Sequence, residues 1–219
     1  MAVSRFPIPL PQPLSGLVLF TGHESVLPLS QLLCLQYLGR GERVVLVDGA
    51  NAFAPYLLSD AARAQGLDHR RVLDAVHLSR VYTCHQLEAL LVDHLQPAIS
   101  AFRPGAVLCL GLLDPLYDED VPAGEAARIF RRLVAAILEA APRLPILAAC
   151  PDPMDPPANE HLTDDVRHTF GDRLREIARW RFTARQEDGR VWISRERPDP
   201  ARWEWALTLR PDRTFRRRV

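Results

Sequence analysis

Leu17-Val-Leu-Phe-Thr-Gly22-His-Glu-Ser-Val-Leu27-Pro-Leu-Ser30 sets the reading of the whole chain. A short apolar run ends in a glycine, and a helix-like stretch from Leu27 to Leu38 follows, stopped by Gly39. The same grammar repeats downstream. Apolar runs at Val44–Val47, Val76–Leu78, Val107–Leu110 and Ile146–Ala149 are bounded by Gly, Pro or Asp, as buried parallel strands are. Helical patterns lie between them at Pro55–Gln65, His85–Phe102 and Glu125–Ala141, with Pro97 expected to kink or interrupt the third of the chain's helices. Strand alternating with helix predicts an α/β fold, a mostly parallel central sheet covered on both faces.

The grammar changes after Cys150. A proline-rich loop over residues 151–161 precedes strand-like runs at Trp180–Arg185, Val191–Ser194 and Trp203–Leu209, the first two joined by a tight turn at residues 187–189. These predict C-terminal antiparallel strands that extend the sheet. Residues 1–15 hold four prolines and read as an extended arm. The expected organisation is therefore an arm (1–15), a core domain (16–215) and an Arg-rich tail (216–219).

With 219 residues, 47% of them hydrophobic and 25% charged, the chain is long enough to fold around a full core. Its formal net charge is zero, so total charge gives no argument for a nucleic-acid partner. All 27 basic residues are arginine. The four cysteines are scattered without a CxxC pair, and no charged-then-apolar leader opens the chain, so a reducing cytoplasm is the expected setting.

A glycine between a first strand and a first helix is where phosphates are cradled in G-x-x-x-x-G-K-[ST] loops. There, glycines let backbone N–H groups close on the phosphates, Lys neutralises them, and the hydroxyl holds Mg²⁺. Counted from Gly22, Leu27 stands for the second Gly, Pro28 for the Lys and Leu29 for the hydroxyl, and Ser30 falls one place late. Pro28 also removes a donor, and no lysine of this chain can substitute.

Three stretches resemble the ATPase core of RecA-type recombinases, nearest the archaeal and eukaryotic branch of RadA and its paralogs. Val44-Val-Leu-Val-Asp48-Gly-Ala50-Asn-Ala-Phe53-Ala-Pro55 is similar to that family's strand ending in Asp-Thr-Glu-Gly-x-Phe-x-Pro. Gly66-Leu-Asp68 and Val72-Leu-Asp74, leading to a strand and Tyr82-x-x-x-x-Gln86-Leu, resembles its next step. Ala106-Val-Leu-Cys-Leu-Gly111 with Leu116-Tyr117 resembles its Walker B strand and following loop. The resemblance implies a RecA-like P-loop NTPase fold, with Gly22, His23, Glu24, Ser25, Ser30 and Asp48 around a remnant nucleotide pocket. It also implies losses: Ala50 stands where the family's water-activating Glu would be, and Gly111 where the Walker B Asp would be. ATP hydrolysis is accordingly not expected, and neither a cofactor nor a metal is.

Other constellations stay open. Asp114, Asp118, Glu119 and Asp120 cluster after the fourth strand, either as a solvated loop or as a metal or general-base site; the resemblance places DNA opposite this loop, which an acidic loop disfavours. His85 and His94, nine apart on a helix, point to different faces. Arg173, Arg175, Arg179, Arg181 and Arg216–Arg218, interleaved with Trp180, Trp192, Trp203 and Trp205, suit a single-strand groove. The same residues equally suit a sheet core with arginines paired to Glu176, Glu187 and Glu196. The functional expectation is a non-catalytic accessory or scaffold protein in DNA repair or recombination. It would dock to a RecA-like or other repair protein through an arm segment around Phe6 and Ile8, and bind single-stranded DNA weakly. Two alternatives are a regulatory protein-interaction module without nucleic acid and an enzyme built on the Asp114–Asp120 cluster.

Overall fold

Alternation inside each strand builds two cores rather than one. Leu17, Leu19, Val45, Val47, Val107, Cys109, Ile146 and Ala148 point to one face of the sheet. Val18, Phe20, Val44, Leu46, Leu108, Leu110 and Leu147 point to the other. In the computed structural model, which describes residues 14–152, 166–187 and 190–198, these strands are β1 (Leu17–Gly22), β2 (Val44–Asp48), β3 (Val76–Arg80), β4 (Ala106–Leu110) and β5 (Ile146–Ala149). Strands apolar on both faces need cover on both. Helices α1 (Val26–Leu33), α2 (Leu35–Leu38), α3 (Pro55–Ala64) and α4 (His69–Asp74) supply it on one side. On the other lie α5 (Cys84–Glu88), α6 (Leu95–Phe102), α7 (Ala123–Ala140) and α8 (His168–Ile177).

The sheet is completed by β6 (Trp180–Glu187) and β7 (Arg190–Arg197), in the order β3-β2-β4-β5-β1-β6-β7. The α/β class and the mostly parallel sheet are as expected. The antiparallel C-terminal pair is as expected, β7 running against β6; within the sheet β6 itself lies parallel to β1, with Val18 beside Trp180. The reason is α8, which returns the chain across the sheet before β6 begins, as a parallel connection requires. The chain then runs back along β6 as β7, with Glu187 beside Arg190. The run expected at Trp203–Leu209 lies outside the described residues, as do residues 1–13 of the arm, nearly all of the proline-rich loop and the tail.

Three further features have local causes. The stretch His85–Phe102 is interrupted, as Pro97 predicts. A six-residue π-helical segment, Ala89–His94, separates α5 from α6, and Pro97 sits in the first turn of α6. Proline cannot donate to the carbonyl four residues back and its ring crowds that carbonyl; a wider turn just before it relieves both. The stretch Leu27–Leu38 likewise divides at Cys34, where the backbone N–H bonds to Gln31 O, a tighter turn. Finally, β3 is only partly buried, with Leu78 40% exposed, because it lies at the edge of the sheet.

Candidate functional site

In a parallel sheet the carboxyl ends of the strands carry the chemistry, and here β1, β5, β4 and β2 lie side by side. The loop after β1 turns back on its own chain. Gly22 has φ +98, and a Cβ there would run into Ala184 O of β6. His23 N–H donates to that same carbonyl at 3.0 Å, while Gly22 O accepts from Asp152 N at 2.8 Å. Ser25 N–H donates to His23 Nδ1 at 3.2 Å. Val26, Leu27 and Leu29 donate to His23 O, Glu24 O and Ser25 O at 3.0, 3.1 and 3.1 Å. Pro28 has no N–H. Five donors that a phosphate nest would aim outward are thus consumed locally.

The side chains of this loop follow suit. His23 Nδ1 accepts the Ser25 amide, and the Ser25 hydroxyl lies 3.1 Å from the same nitrogen. Ser30 is buried and donates to Leu27 O at 2.9 Å, along its own helix. Glu24 is exposed.

Asp48, at the end of β2, is fully buried. One carboxylate oxygen accepts Ala52 N–H at 2.9 Å; the other accepts Phe53 N–H at 3.1 Å and Arg80 Nε at 3.2 Å. Its oxygens therefore shape the 49–53 loop and anchor Arg80 at the end of β3. That loop packs onto the end of β4: Gly49 and Ala50 both donate to Leu110 O, at 2.8 and 3.2 Å. A Cβ at Gly111, φ +60, would overlap the Ala50 Cβ and lie 2.8 Å from Ala50 N and 2.7 Å from Asp114 Oδ2. Position 111 thus has no room for the aspartate that the resemblance would put there.

Sequence reasoning missed Gln31. It is buried in α1, where Nε2 donates to Leu27 O and Ala52 O, both at 3.1 Å, and Oε1 accepts Ala54 N–H at 2.8 Å. It ties the first helix to the loop after β2. The available signal was an amide in an otherwise apolar run, since a buried amide needs partners. Glu88 was missed for a similar reason: it holds Arg128 and Arg132 of α7 at 3.0 and 2.6 Å.

Asp114 opens a 3₁₀ turn (Asp114–Leu116) beside this closed loop. Its rim faces solvent, yet burial against the strand ends, and then the charge of Asp48, raises its carboxyl above the usual range. Asp118, Glu119 and Asp120 are exposed, and Asp118 Oδ1 accepts Asp120 N–H at 3.0 Å. Arg167 holds the loop by its carbonyls, donating to Leu116 O at 2.9 Å, Asp118 O at 3.0 Å and Val121 O. Among the described residues no three His, Cys, Asp or Glu side chains converge as metal ligands would. Cys84 is buried, and His85 Nε2 lies 4.0 Å from Glu125.

The described arginines of the expected DNA surface have partners on the protein. Arg173 pairs with Glu176 at 2.8 Å, and Arg175 with Asp172 and Asp152, each at 3.0 Å. Arg179 donates to Ser15 Oγ at 2.7 Å, and Arg181 lies 3.9 Å from Glu196. Trp180 packs against the core on the α1–α4 side. Arg216, Arg217, Arg218, Phe6, Ile8, Trp203 and Trp205 lie outside the described residues.

Fold and site together define an α/β protein of the Rossmann-like class, in which the loops at the strand ends bond to one another. Neither a protein-family model nor a curated protein matches the chain. Among the described residues no helix is long and apolar enough to cross a membrane.

Proposed function

We propose that the chain is a RecA-like core without phosphoryl-transfer machinery, acting as an accessory or scaffold protein that docks to a partner in DNA repair or recombination. One observation carries this reading. The three places where a phosphate cradle, a water-activating carboxylate and a Mg²⁺ ligand would sit are the loops after β1, β2 and β4. They meet at one end of the sheet, and each is filled by the chain's own contacts. Phosphoryl transfer works by positioning and charge stabilisation around bound phosphates. A loop whose amides donate inward, an alanine at position 50 and a glycine with no space at position 111 supply neither. What remains useful is surface.

The recombination setting rests on the resemblance of the strand-end stretches. A partner contact through Phe6 and Ile8 predicts that removing residues 1–13 lowers the mass of any assembly, read by light scattering. A second reading, a regulatory module with no nucleic-acid role, draws support from the acid or hydroxyl partners of Arg173, Arg175, Arg179 and Arg181. Two assays test the proposal. Steady-state ATPase activity above a protein-free control would refute the non-catalytic reading. Anisotropy of labelled single-stranded DNA over a salt series separates the two settings: binding that weakens steeply with salt, and falls when Arg216–Arg218 are removed, supports phosphate contact. Absence of binding at low salt favours the module without nucleic acid.

A further inference from the structure

Strand β3 lies at one edge of the sheet and has a neighbour on one side only, β2. Its hydrogen bonds show which residues serve that neighbour. Val44 N–H donates to Ala75 O and Val81 N–H to Asp48 O, each at 3.0 Å, with Val44 beside Val76 and Asp48 beside Arg80. Bonding residues alternate along a parallel ladder, so Ala75, His77, Ser79 and Val81 face β2. Val76, Leu78 and Arg80 therefore turn their N–H and C=O groups away from the sheet. Among the described residues none of these outward groups meets a hydrogen-bond partner.

We propose that this edge pairs antiparallel with the same edge of a second copy of the chain, about a two-fold axis at Leu78. The backbone selects the occupant, because the outward set is symmetric about Leu78. An axis there sets Leu78 against Leu78 of the second copy and Val76 against its Arg80. Each opposed pair then exchanges N–H···O bonds in both directions, and no outward group is left over. An axis at His77 or Ser79 would leave Arg80 or Val76 beyond the end of the facing strand.

The side chains agree. Exposed sheet edges are commonly guarded by proline, lysine or a bulge. The run Val76-His-Leu-Ser-Arg80 has neither residue, and its register with β2 is unbroken. Its arginine is drawn back into the sheet, Arg80 Nε lying 3.2 Å from Asp48 Oδ2. The His77 ring is laid on Phe102, with centroids 3.8 Å apart. At the axis the exposed Leu78 meets its own copy, and Arg80 faces Val76, so no like charges are opposed. The contact is separate from arm docking through Phe6 and Ile8, and it joins two sheets into one.

Sedimentation velocity on the full chain tests the pairing. With rising concentration the mass should climb from that of one 24.7 kDa chain toward twice that value. Leu78→Glu and Leu78→Lys, each checked for folding by circular dichroism, should stay monomeric, since like charges then face each other across the axis. Their equal mixture should dimerise again, Glu facing Lys, a rescue that docking of any other partner would not produce. Leu78→Pro removes an outward N–H that β2 does not use and should weaken dimerisation at least about tenfold. Removing residues 1–13 should leave this dimer intact, whereas an assembly held by the arm loses mass down to the dimer. An unaltered chain that stays monomeric up to about 0.2 mM, charged variants or L78P that dimerise like it, or a mixture that stays monomeric would overturn the proposal. So would loss of the dimer without residues 1–13, which would assign the edge to the arm.

Discussion

Replacing Gly111 by alanine tests whether the strand ends are closed. Two costs separate cleanly. A residue with a Cβ at φ +60 costs about 1–2 kcal/mol in the left-handed region. The Cβ would also overlap Ala50, so the 49–53 loop must lift away. Lifting strains the Gly49 and Ala50 bonds to Leu110 O, each worth about 0.5–1.5 kcal/mol. The expected loss is about 2–5 kcal/mol. Gly66→Ala supplies the control: its φ is +73, but nothing lies within 4 Å of its added Cβ. It should therefore lose only the backbone part, about 1–2 kcal/mol. Urea unfolding followed by far-ultraviolet circular dichroism measures both. A gap of about 2 kcal/mol between the variants corresponds to about 4–8 °C in Tm for a domain of this size. Gly111→Asp should fare no better than alanine and should not create Mg²⁺-dependent ATPase activity. If G111A and G66A lose the same stability within about 0.5 kcal/mol, position 111 has space and the closure argument fails.

Gln31→Leu should cost about 2–3 kcal/mol by the same unfolding assay, because Ala54 N–H and Ala52 O lose their partner in a buried setting; an unchanged midpoint would remove Gln31 from the loop's support. Asp114 holds its proton more tightly in the fold than unfolded, since burial raises its carboxyl. Its charge therefore weakens the fold above that raised pKa, and the penalty disappears as pH falls below the unfolded value. Asp114→Asn should then be the more stable protein at pH 7 and gain nothing at about pH 3, where a carboxyl of ordinary pKa about 3.9 is mostly protonated; a gain that persists at acid pH would assign the effect to shape. Burial pushes the thiols of Cys34, Cys109 and Cys150 up to about 12, so a thiol reagent at pH 8 should leave them unmodified in the native protein and label them rapidly in urea. Fast native labelling of any of the three would show that its strand or helix opens.

Patterns that depend on neighbours in the chain were legible early. Apolar runs such as Val44–Val47 and Val107–Leu110 announced strands, since a run buried on both faces has few other places to go. Pro28, Ala50 and Gly111 could be read as missing chemistry because each is a residue type that cannot donate, accept or ligate with its side chain. The break around Pro97 followed from ring geometry alone.

The sequence by itself thus determined the class of fold, the order of its strands along the chain and the absence of lysine. The tertiary structure decided what long-range contact decides. The direction of β6 depends on which strand it joins, and Trp180 to Ala184 pair with β1, more than 150 residues earlier. The closure of the strand ends depends on Ala184, Asp152 and Leu110, which no local pattern links to Gly22 or Ala50. The pairing of Arg175 with Asp152 depends on how α8 lies on the sheet. Hydrophobic periodicity is written residue by residue, whereas satisfaction of a buried donor or a lone charge is settled only when distant segments meet.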